Sequence, residues 1–163
     1  MTRAVRLDGT ATLRRVFGAF PTGVTALAAE VNGTPTGIAA SSFTSVSLDP
    51  PIVSVCVAHS STTWPTLRTA DRLGVSVLGA HQAQAARQLA GPNDQRFETL
   101  DWRRTDDGAV VLVGVSAWLE TSVVQELPAG DHDIVLLRVH DLAVEPHVAP
   151  LVFHASRFRE LVP

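Results

Sequence analysis

There is no lysine in this chain; all 13 of its basic residues are arginine. Chemistry that needs a primary amine is excluded, which removes a pyridoxal-phosphate Schiff base, a P-loop lysine and a catalytic lysine together. A single cysteine, Cys56, rules out an internal disulfide, and its neighbours Val55 and Val57 predict a buried thiol. No G-x-G-x-x-G follows a strand-like run and no G-x-S-x-G occurs, so the usual dinucleotide fingerprint and the nucleophile elbow are both missing. Unbroken apolar runs reach only a few residues, as at Val110 to Val113, far short of a membrane span. Residues 1–10 carry two arginines but neither an apolar stretch nor a small-residue cleavage site, so no secretory leader is expected and the cytoplasm is the simplest address. A formal net charge of −3 and a pI near 6.0 argue against nucleic acid or an acidic membrane as the main partner. His140, His147 and His154 recur every seven residues. Pro146 and Pro150 prevent one helix from aligning them, so they read as exposed or edge-strand histidines and no metal site is expected.

What is present suits one domain, expected to span residues 1–163 with 1–9 as a tail. A chain of 163 residues puts about 69% of its unfolded surface out of water on folding, and 45% hydrophobic residues supply a core without staples. Valine alone contributes 22 residues, and β-branched enrichment of this kind favours strands. Leu13, Val16, Phe17 and Phe20 sit at i, i+3, i+4 and i+7, predicting an amphipathic helix capped by Thr10 and ended by Pro21. Strands are predicted at Val24–Glu30 and Thr36–Ala40, joined by the hairpin signal Asn32-Gly33. Further strands are predicted at Ile52–Val57, Leu73–Leu78, Val110–Val113, Trp118–Glu126, Ile134–Val144 and Leu151–Phe153. A helical turn begins near Thr63, and a second helix runs from His81 to Ala90 up to Gly91-Pro92. Such a succession of hairpin-linked strands with few short helices predicts a mainly β protein, a closed or partly closed antiparallel barrel.

Three segments stand out chemically. Between Gly37 and Pro51, four serines and a threonine fall within Ser41–Ser47, where a buried strand would be apolar. Small hydroxylated residues let a flat polar ligand approach the backbone closely; an edge strand facing water is the competing explanation. Ser60-Ser61-Thr62-Thr63 precedes the helical turn at Trp64, an arrangement that suits a phosphate or an ordinary N-cap. Gly130-Asp131-His132-Asp133 sets a histidine between two carboxylates, which favours its protonated form, or forms a plain polar turn. Asp94 and Arg96 read as a solvated pair.

In order along the chain, FGAFPTGV (Phe17–Val24), SSFTSVSLDPP (Ser41–Pro51), SSTTWP (Ser60–Pro65), Asp94–Phe97, GDH (Gly130–His132) and PLVFHASRFREL (Pro150–Leu161) resemble the short-chain flavin reductases, NAD(P)H:flavin oxidoreductases. The resemblance implies an FMN-binding split barrel of Greek-key type with short flanking helices. It implies that Ala40, Ser41, Ser42, Phe43 and Ser45 contact the flavin ring, that Ser60, Ser61 and Thr62 hold its phosphate, and that His132 lies on the nicotinamide side. It implies a homodimer, FMN or FAD as flavin, NADH or NADPH as donor, and reduced flavin released to a separate monooxygenase. Three positions depart from the pattern. Ala39 stands where threonine is common, Leu137 where glycine often follows GDH, and Ser156 where the C-terminal segment often has glycine. The last two are expected to narrow the nicotinamide approach. A flavin-storage domain, or an oxidoreductase with tightly bound flavin acting on an organic substrate, would carry the same segments.

Overall fold

A computed structural model describes residues 9–162, so the tail expected at 1–9 lies almost wholly outside the described residues. The first element, α1 (Thr10–Phe17), follows the predicted apolar spacing. Its cap differs from expectation: Gly9 is the N-cap residue, Thr10 is already helical, and the helix stops at Gly18 rather than Pro21. None of its residues is buried.

Twelve strands follow: β1 (Thr22–Gly23), β2 (Thr25–Val31), β3 (Thr34–Ala40), β4 (Thr44–Leu48), β5 (Pro51–Ala58), β6 (Leu73–Val77), β7 (Trp102–Arg104), β8 (Val110–Leu112), β9 (Ala117–Ala129), β10 (His132–Val144), β11 (Val152–His154) and β12 (Arg157–Arg159). Two further helices, α2 (Trp64–Leu67) and α3 (Ala83–Leu89), interrupt them. Seven strands form one antiparallel sheet in the order β3-β2-β6-β9-β10-β5-β4. The consecutive strands β3 and β4 therefore occupy its two opposite edges. Only the three residues Ser41–Phe43 join them, so the sheet must curl until its edges meet, and it does so as an antiparallel split barrel. The predicted hairpin between β2 and β3 turns on Asn32 (φ 52) and Gly33 (φ 75), both in the left-handed region that such turns demand.

Two hydrophobic clusters share the sheet. Leu27, Val55, Val75, Val135 and Leu137 fill the barrel, while Val24, Ala26, Leu78, Leu89 and Leu151 pack beneath α3. Strand β2 serves both: Leu27 and Ala29 face one cluster, while Ala26, with Val24 just ahead of the strand, faces the other, which is why it lacks polar alternation. Burial of this kind stabilises by about 25 cal/mol per Å² of apolar surface removed from water. Gly74 lets β8 of the separate β7–β8 hairpin lie directly against β6, since a Cβ there would stand 1.8 Å from the Val110 carbonyl oxygen.

Two sequence expectations change here. Cys56 is exposed. Along β5 the side chains alternate, so Val55 and Val57 enter the core and Cys56 points the other way; apolar neighbours marked the strand, not the thiol's own face. Leu137 is fully buried, opposite Val53 and Val123, and so stands in the core rather than at any ligand approach. Ser156 lies in the β11–β12 turn at φ 60 beside Ala155 at φ 49, a conformation that glycine adopts without strain and that explains the family's preference there.

Candidate functional site

The seam between the sheet edges is where the chemistry-bearing segments meet. Residues Ser41–Phe43 belong to neither β3 nor β4, and among the described residues their backbone N–H groups take no part in a strand ladder. The Ser42 hydroxyl fastens this link to the barrel. Its Oγ accepts from the Cys56 N–H at 2.8 Å and donates to the Cys56 carbonyl at 3.2 Å. Strand β4 has left the ladder by then, its last pair with β5 being Thr44–Ser54, so the side chain replaces the missing strand. Thr25 makes a matching contact on the other edge, donating to the Ala40 carbonyl at 3.0 Å.

This link borders a cleft of about 360 Å³ whose lining includes Ala40, Ser41, Ser42, Ser61, Arg96 and His132, with Cys56, Val57 and Ala58 of β5 along one side and Leu89 and Ala90 along another. Its size lies within the range of small-molecule sites. His132 reaches it because β10 pairs with β5 in the register His132–Ala58, and the following turn brings Ser61 alongside, its N–H donating to the Ala58 carbonyl at 2.9 Å. A larger concavity of about 470 Å³ opens elsewhere, lined by Glu30, Asp71, Arg72, Arg104, Asp106 and Asp107 among others. Its charges are partly spent on each other, as in the Arg104–Glu30 pair at 3.1 Å, and no sequence-predicted site residue reaches it.

The hydroxyl loop is organised differently from an N-cap by Thr62 or Thr63. Helix α2 has four residues, too few to offer an aligned dipole, and the hydroxyl that meets its first N–H is Ser61, accepting from Trp64 N at 3.2 Å. Thr63 is buried and donates to Asn93 Oδ1 at 2.9 Å. Thr62 stands on the adjoining polar pocket of about 210 Å³, shared with Thr34, Thr36, Thr66, Asn93 and Arg96.

Arg96 links the cleft and this pocket, lining both. Its Nε donates to the Gly91 carbonyl at 2.9 Å, and Nη1 donates to the Gly37 carbonyl at 2.9 Å and to Thr63 Oγ1 at 3.0 Å. Partial burial lowers its pKa. The solvated pair with Asp94 does not form; Arg96 instead ties β3, the hydroxyl loop and the end of α3 together. Gly37 permits this, since a Cβ there would stand 2.6 Å from the Leu27 carbonyl oxygen and 3.0 Å from the Phe97 ring. The sequence signal for Arg96 was its place beside Phe97 in the Asp94–Phe97 segment, and charge alternation alone concealed it.

The two carboxylates flanking His132 separate. Nδ1 of His132 lies 2.7 Å from Asp131 Oδ1, and this contact, first through the hydrogen bond and then through charge, lowers the Asp131 pKa. Asp133 points to the other side of β10 and meets His59 Nε2 at 3.0 Å. The Asp131 contact leaves the imidazole Nε2 for a ligand in the cleft.

Of the remaining candidates, Phe43 packs against the barrel core, Ser45 is exposed on β4 opposite Val53, and Ser60 is exposed outside the cleft. Cys56, Leu89 and Ala90 line the cleft without having been singled out. No group of three His, Cys, Asp or Glu among the described residues is placed to hold a metal. No helix among them is long and apolar enough to cross a membrane.

The donor set fits a flavin. A flat ring can lie on the small side chains of Ala39, Ala40 and Ser41, its polar edge toward the unpaired N–H groups of Ser41–Phe43. A phosphate is matched by the Ser61 and Thr62 hydroxyls and by Arg96, whose Nη2 makes no hydrogen bond among the described residues.

The chain spans 41% and 56% of the length of two relatives from Rhizobium meliloti (strain 1021), about half. The second, named stachydrine N-demethylase reductase subunit Stc3, is 41% identical over 128 residues, 78% of this chain. An NADH:FMN oxidoreductase from Rhodococcus erythropolis is 38% identical over 162 residues, covering 96% of this chain and 82% of that one. Among solved structures, the Streptomyces globisporus NADH:FAD oxidoreductase SgcE6 in complex with NAD and FAD fragments superposes with a TM-score of 0.92 at 37% identity, covering 99% of this chain and 98% of that one. A flavin reductase like domain matches residues 17–162, and this chain belongs to that family.

Proposed function

We propose that the chain is an NAD(P)H-dependent flavin reductase that passes hydride from a reduced nicotinamide to FMN or FAD held in the seam cleft. The observation that carries this reading is the convergence of Ala40–Ser42, Ser61, Arg96 and His132 on that one cleft. When bound, flavin supplies the electronic chemistry of accepting the hydride. The chain's own residues supply position and charge. Ala39, Ala40 and Ser41 give one face of the ring a close, flat wall, and the N–H groups of Ser41–Phe43 face the edge where negative charge develops. Stacking two planar groups with their reacting atoms aligned accounts for much of the rate without a side-chain nucleophile. Ser61, Thr62 and Arg96 hold the phosphate, with Ser60 exposed at the start of that loop, while Phe43 and Ser45 support the link from the barrel side and from β4. His132, oriented by Asp131, presents Nε2 to the nicotinamide.

Reduced flavin then leaves for a separate flavin-dependent monooxygenase. The naming of a relative as a reductase subunit supports this. The functional unit is a homodimer: Phe17 and Phe20 are 69% and 74% exposed and continue the apolar face of α1, a surface that a second copy would cover. The cytoplasm suits an exposed, unpaired Cys56.

The test is loss of the near-ultraviolet absorbance of NADH, and separately NADPH, with purified protein and excess FMN, FAD or riboflavin. Turnover that saturates with added flavin supports a diffusible-flavin reductase and selects its cofactors. Flavin binding seen by fluorescence quenching without such turnover would move the assignment to storage or to a bound-flavin oxidoreductase. Absence of both binding and turnover would overturn it.

A further inference from the structure

Thr63 stands at the N-cap of α2, where a threonine hydroxyl ordinarily accepts a hydrogen bond from the first turn, yet it makes no capping bond. Ser61 takes over part of that work by accepting from Trp64 N at 3.2 Å. The Thr63 side chain is committed elsewhere. It is buried, its Oγ1 accepts from Arg96 Nη1 at 3.0 Å, and the same hydroxyl donates to Asn93 Oδ1 at 2.9 Å. Asn93 opens the short turn after Pro92, and its Nδ2 donates to Thr62 Oγ1 at 3.5 Å, the loosest of the three contacts. All four residues line the polar pocket of about 210 Å³.

The direction of this chain of bonds follows from what each group can do. A guanidinium has no acceptor, so Thr63 Oγ1 accepts from Arg96 and keeps one proton of its own to give. In a buried position that proton needs an acceptor, and among the described residues the Asn93 carbonyl oxygen supplies it. With its oxygen turned to Thr63, the amide presents its nitrogen to Thr62, and that nitrogen only donates. Thr62 Oγ1 is thereby occupied as an acceptor and its own proton is left for a ligand. A hydroxyl that rotates freely offers an anion its lone pairs as readily as its proton; one that already accepts offers the proton. Building on the reading of the cleft as a flavin site with its phosphate on the hydroxyl loop, we propose that Thr63 and Asn93 are positioning residues that relay the donor-only character of Arg96 to Thr62, and so set the preference for a phosphorylated flavin over riboflavin. Both act through Arg96 and Thr62 rather than on the phosphate itself.

The experiment measures the ratio of FMN to riboflavin affinity by fluorescence quenching, a readout independent of turnover. The proteins are the wild type, Thr63→Val, Thr63→Ser, Asn93→Ala, Thr62→Ala and the double variant Asn93→Ala with Thr62→Ala. Valine keeps the shape of threonine and removes the hydroxyl, and the ratio is expected to fall roughly 2- to 10-fold, one hydrogen bond's worth. Serine is expected to hold the ratio near that of the wild type. Asn93 is exposed, so its alanine variant decides the matter if the buried valine costs the fold. Asn93→Ala is expected to lower the ratio by a similar factor alone and to add nothing once Thr62 is alanine, because it acts through that hydroxyl. A wild-type ratio in Asn93→Ala overturns the relay, as does a loss in Thr63→Ser equal to that in Thr63→Val. An additive loss in the double variant overturns it too, since Asn93 would then act without Thr62. The wild type separates these failures from failure of the underlying reading. Equal affinity for the two flavins would overturn the phosphate's place on the hydroxyl loop, and binding of neither would overturn the flavin site, the relay falling with it in both cases.

Discussion

Replacing Ser42 by alanine separates two roles that the serine-rich segment allows. In the structure the hydroxyl is committed to the Cys56 backbone, accepting at 2.8 Å and donating at 3.2 Å, so its loss unties the link between the two edge strands. Each intramolecular hydrogen bond contributes about 0.5–1.5 kcal/mol net. Ser42 is only half-buried, and water can meet part of the demand left by the Cys56 N–H and C=O. The expected cost is therefore about 1–2 kcal/mol, which in a domain of this size lowers Tm by roughly 2–8 °C. Thermal unfolding followed by circular dichroism, alongside FMN binding by fluorescence quenching, provides the assay. FMN affinity should fall by less than about tenfold, since the hydroxyl is not free to meet the ring. Ser41→Ala is the matched contrast: its hydroxyl has no hydrogen-bond partner among the described residues and faces the cleft. There, stability should stay within about 0.5 kcal/mol, while FMN affinity drops roughly 2- to 10-fold, one hydrogen bond's worth. An unchanged Tm in Ser42→Ala together with a tenfold or greater loss of FMN binding would refute the argument and return that hydroxyl to the ligand.

His132→Ala should raise KM for NADH more than it weakens flavin binding; steady-state kinetics beside a flavin titration decide this, and collapse of flavin affinity with normal NADH kinetics would contradict the assigned position. Arg96→Met should lower FMN affinity while leaving riboflavin affinity nearly unchanged, and should also destabilise the fold by about 2–3 kcal/mol through the three lost charged hydrogen bonds, measured by urea unfolding. Because His132 depresses the Asp131 pKa, carboxyl-carbon NMR should place the Asp131 midpoint below the ordinary aspartate range and find it raised in His132→Ala. With a depressed folded-state pKa, that contact stabilises the protein above the unfolded aspartate pKa and is lost as pH falls through the folded value, so its signature belongs to the acid limb of the stability profile. Phe17→Ser paired with Phe20→Ser should shift the sedimentation coefficient toward that of a monomer, and an unchanged coefficient would remove α1 from the interface.

Strand existence was legible because burial writes itself into a period of two, and every predicted strand has a counterpart. Boundaries were less so. The predicted strand Ile134–Val144 begins at His132 and Trp118–Glu126 runs on to Ala129, because polar and proline residues at a hairpin's tip still pair when the opposite strand supplies the ladder. The short β1, β7 and β12 carry little apolar signal, and they owe their pairing to neighbours distant in sequence. Side-chain direction was harder again. Leu137 sits in the uniformly apolar run Ile134–Leu137, where composition gives no phase and only the register against β5 and β9 decides its face; for Cys56 the phase was present in Ser54, which shares its side of β5, and the flanking valines masked it.

The same distinction explains why Arg96 escaped a reading that found Ser41, Ser61 and His132. Hydroxyl clusters and a glycine-bounded histidine are unusual within their own segments, so local contrast reveals them. Arginine beside aspartate is ordinary surface chemistry until the chain closes and sets Gly91, Gly37 and Thr63 around one guanidinium. Those three acceptors come from the end of α3, from β3 and from the hydroxyl loop, and none is a side-chain charge. An arginine held by neutral acceptors keeps its positive charge available, whereas one held by a carboxylate has its charge largely cancelled. The geometry that hides Arg96 from sequence reading is thus what equips it to meet a phosphate, and a change of the Gly37 close approach should act at the same place. Gly37→Ala puts a Cβ 2.6 Å from the Leu27 carbonyl oxygen and 3.0 Å from Phe97, so β3 has to move away from β2 and take the Gly37 carbonyl with it. FMN affinity should then fall relative to riboflavin, as in Arg96→Met, although no ligand-facing side chain has changed. Equal losses for the two flavins would mean that Arg96 braces the seam and leaves the phosphate to the hydroxyls.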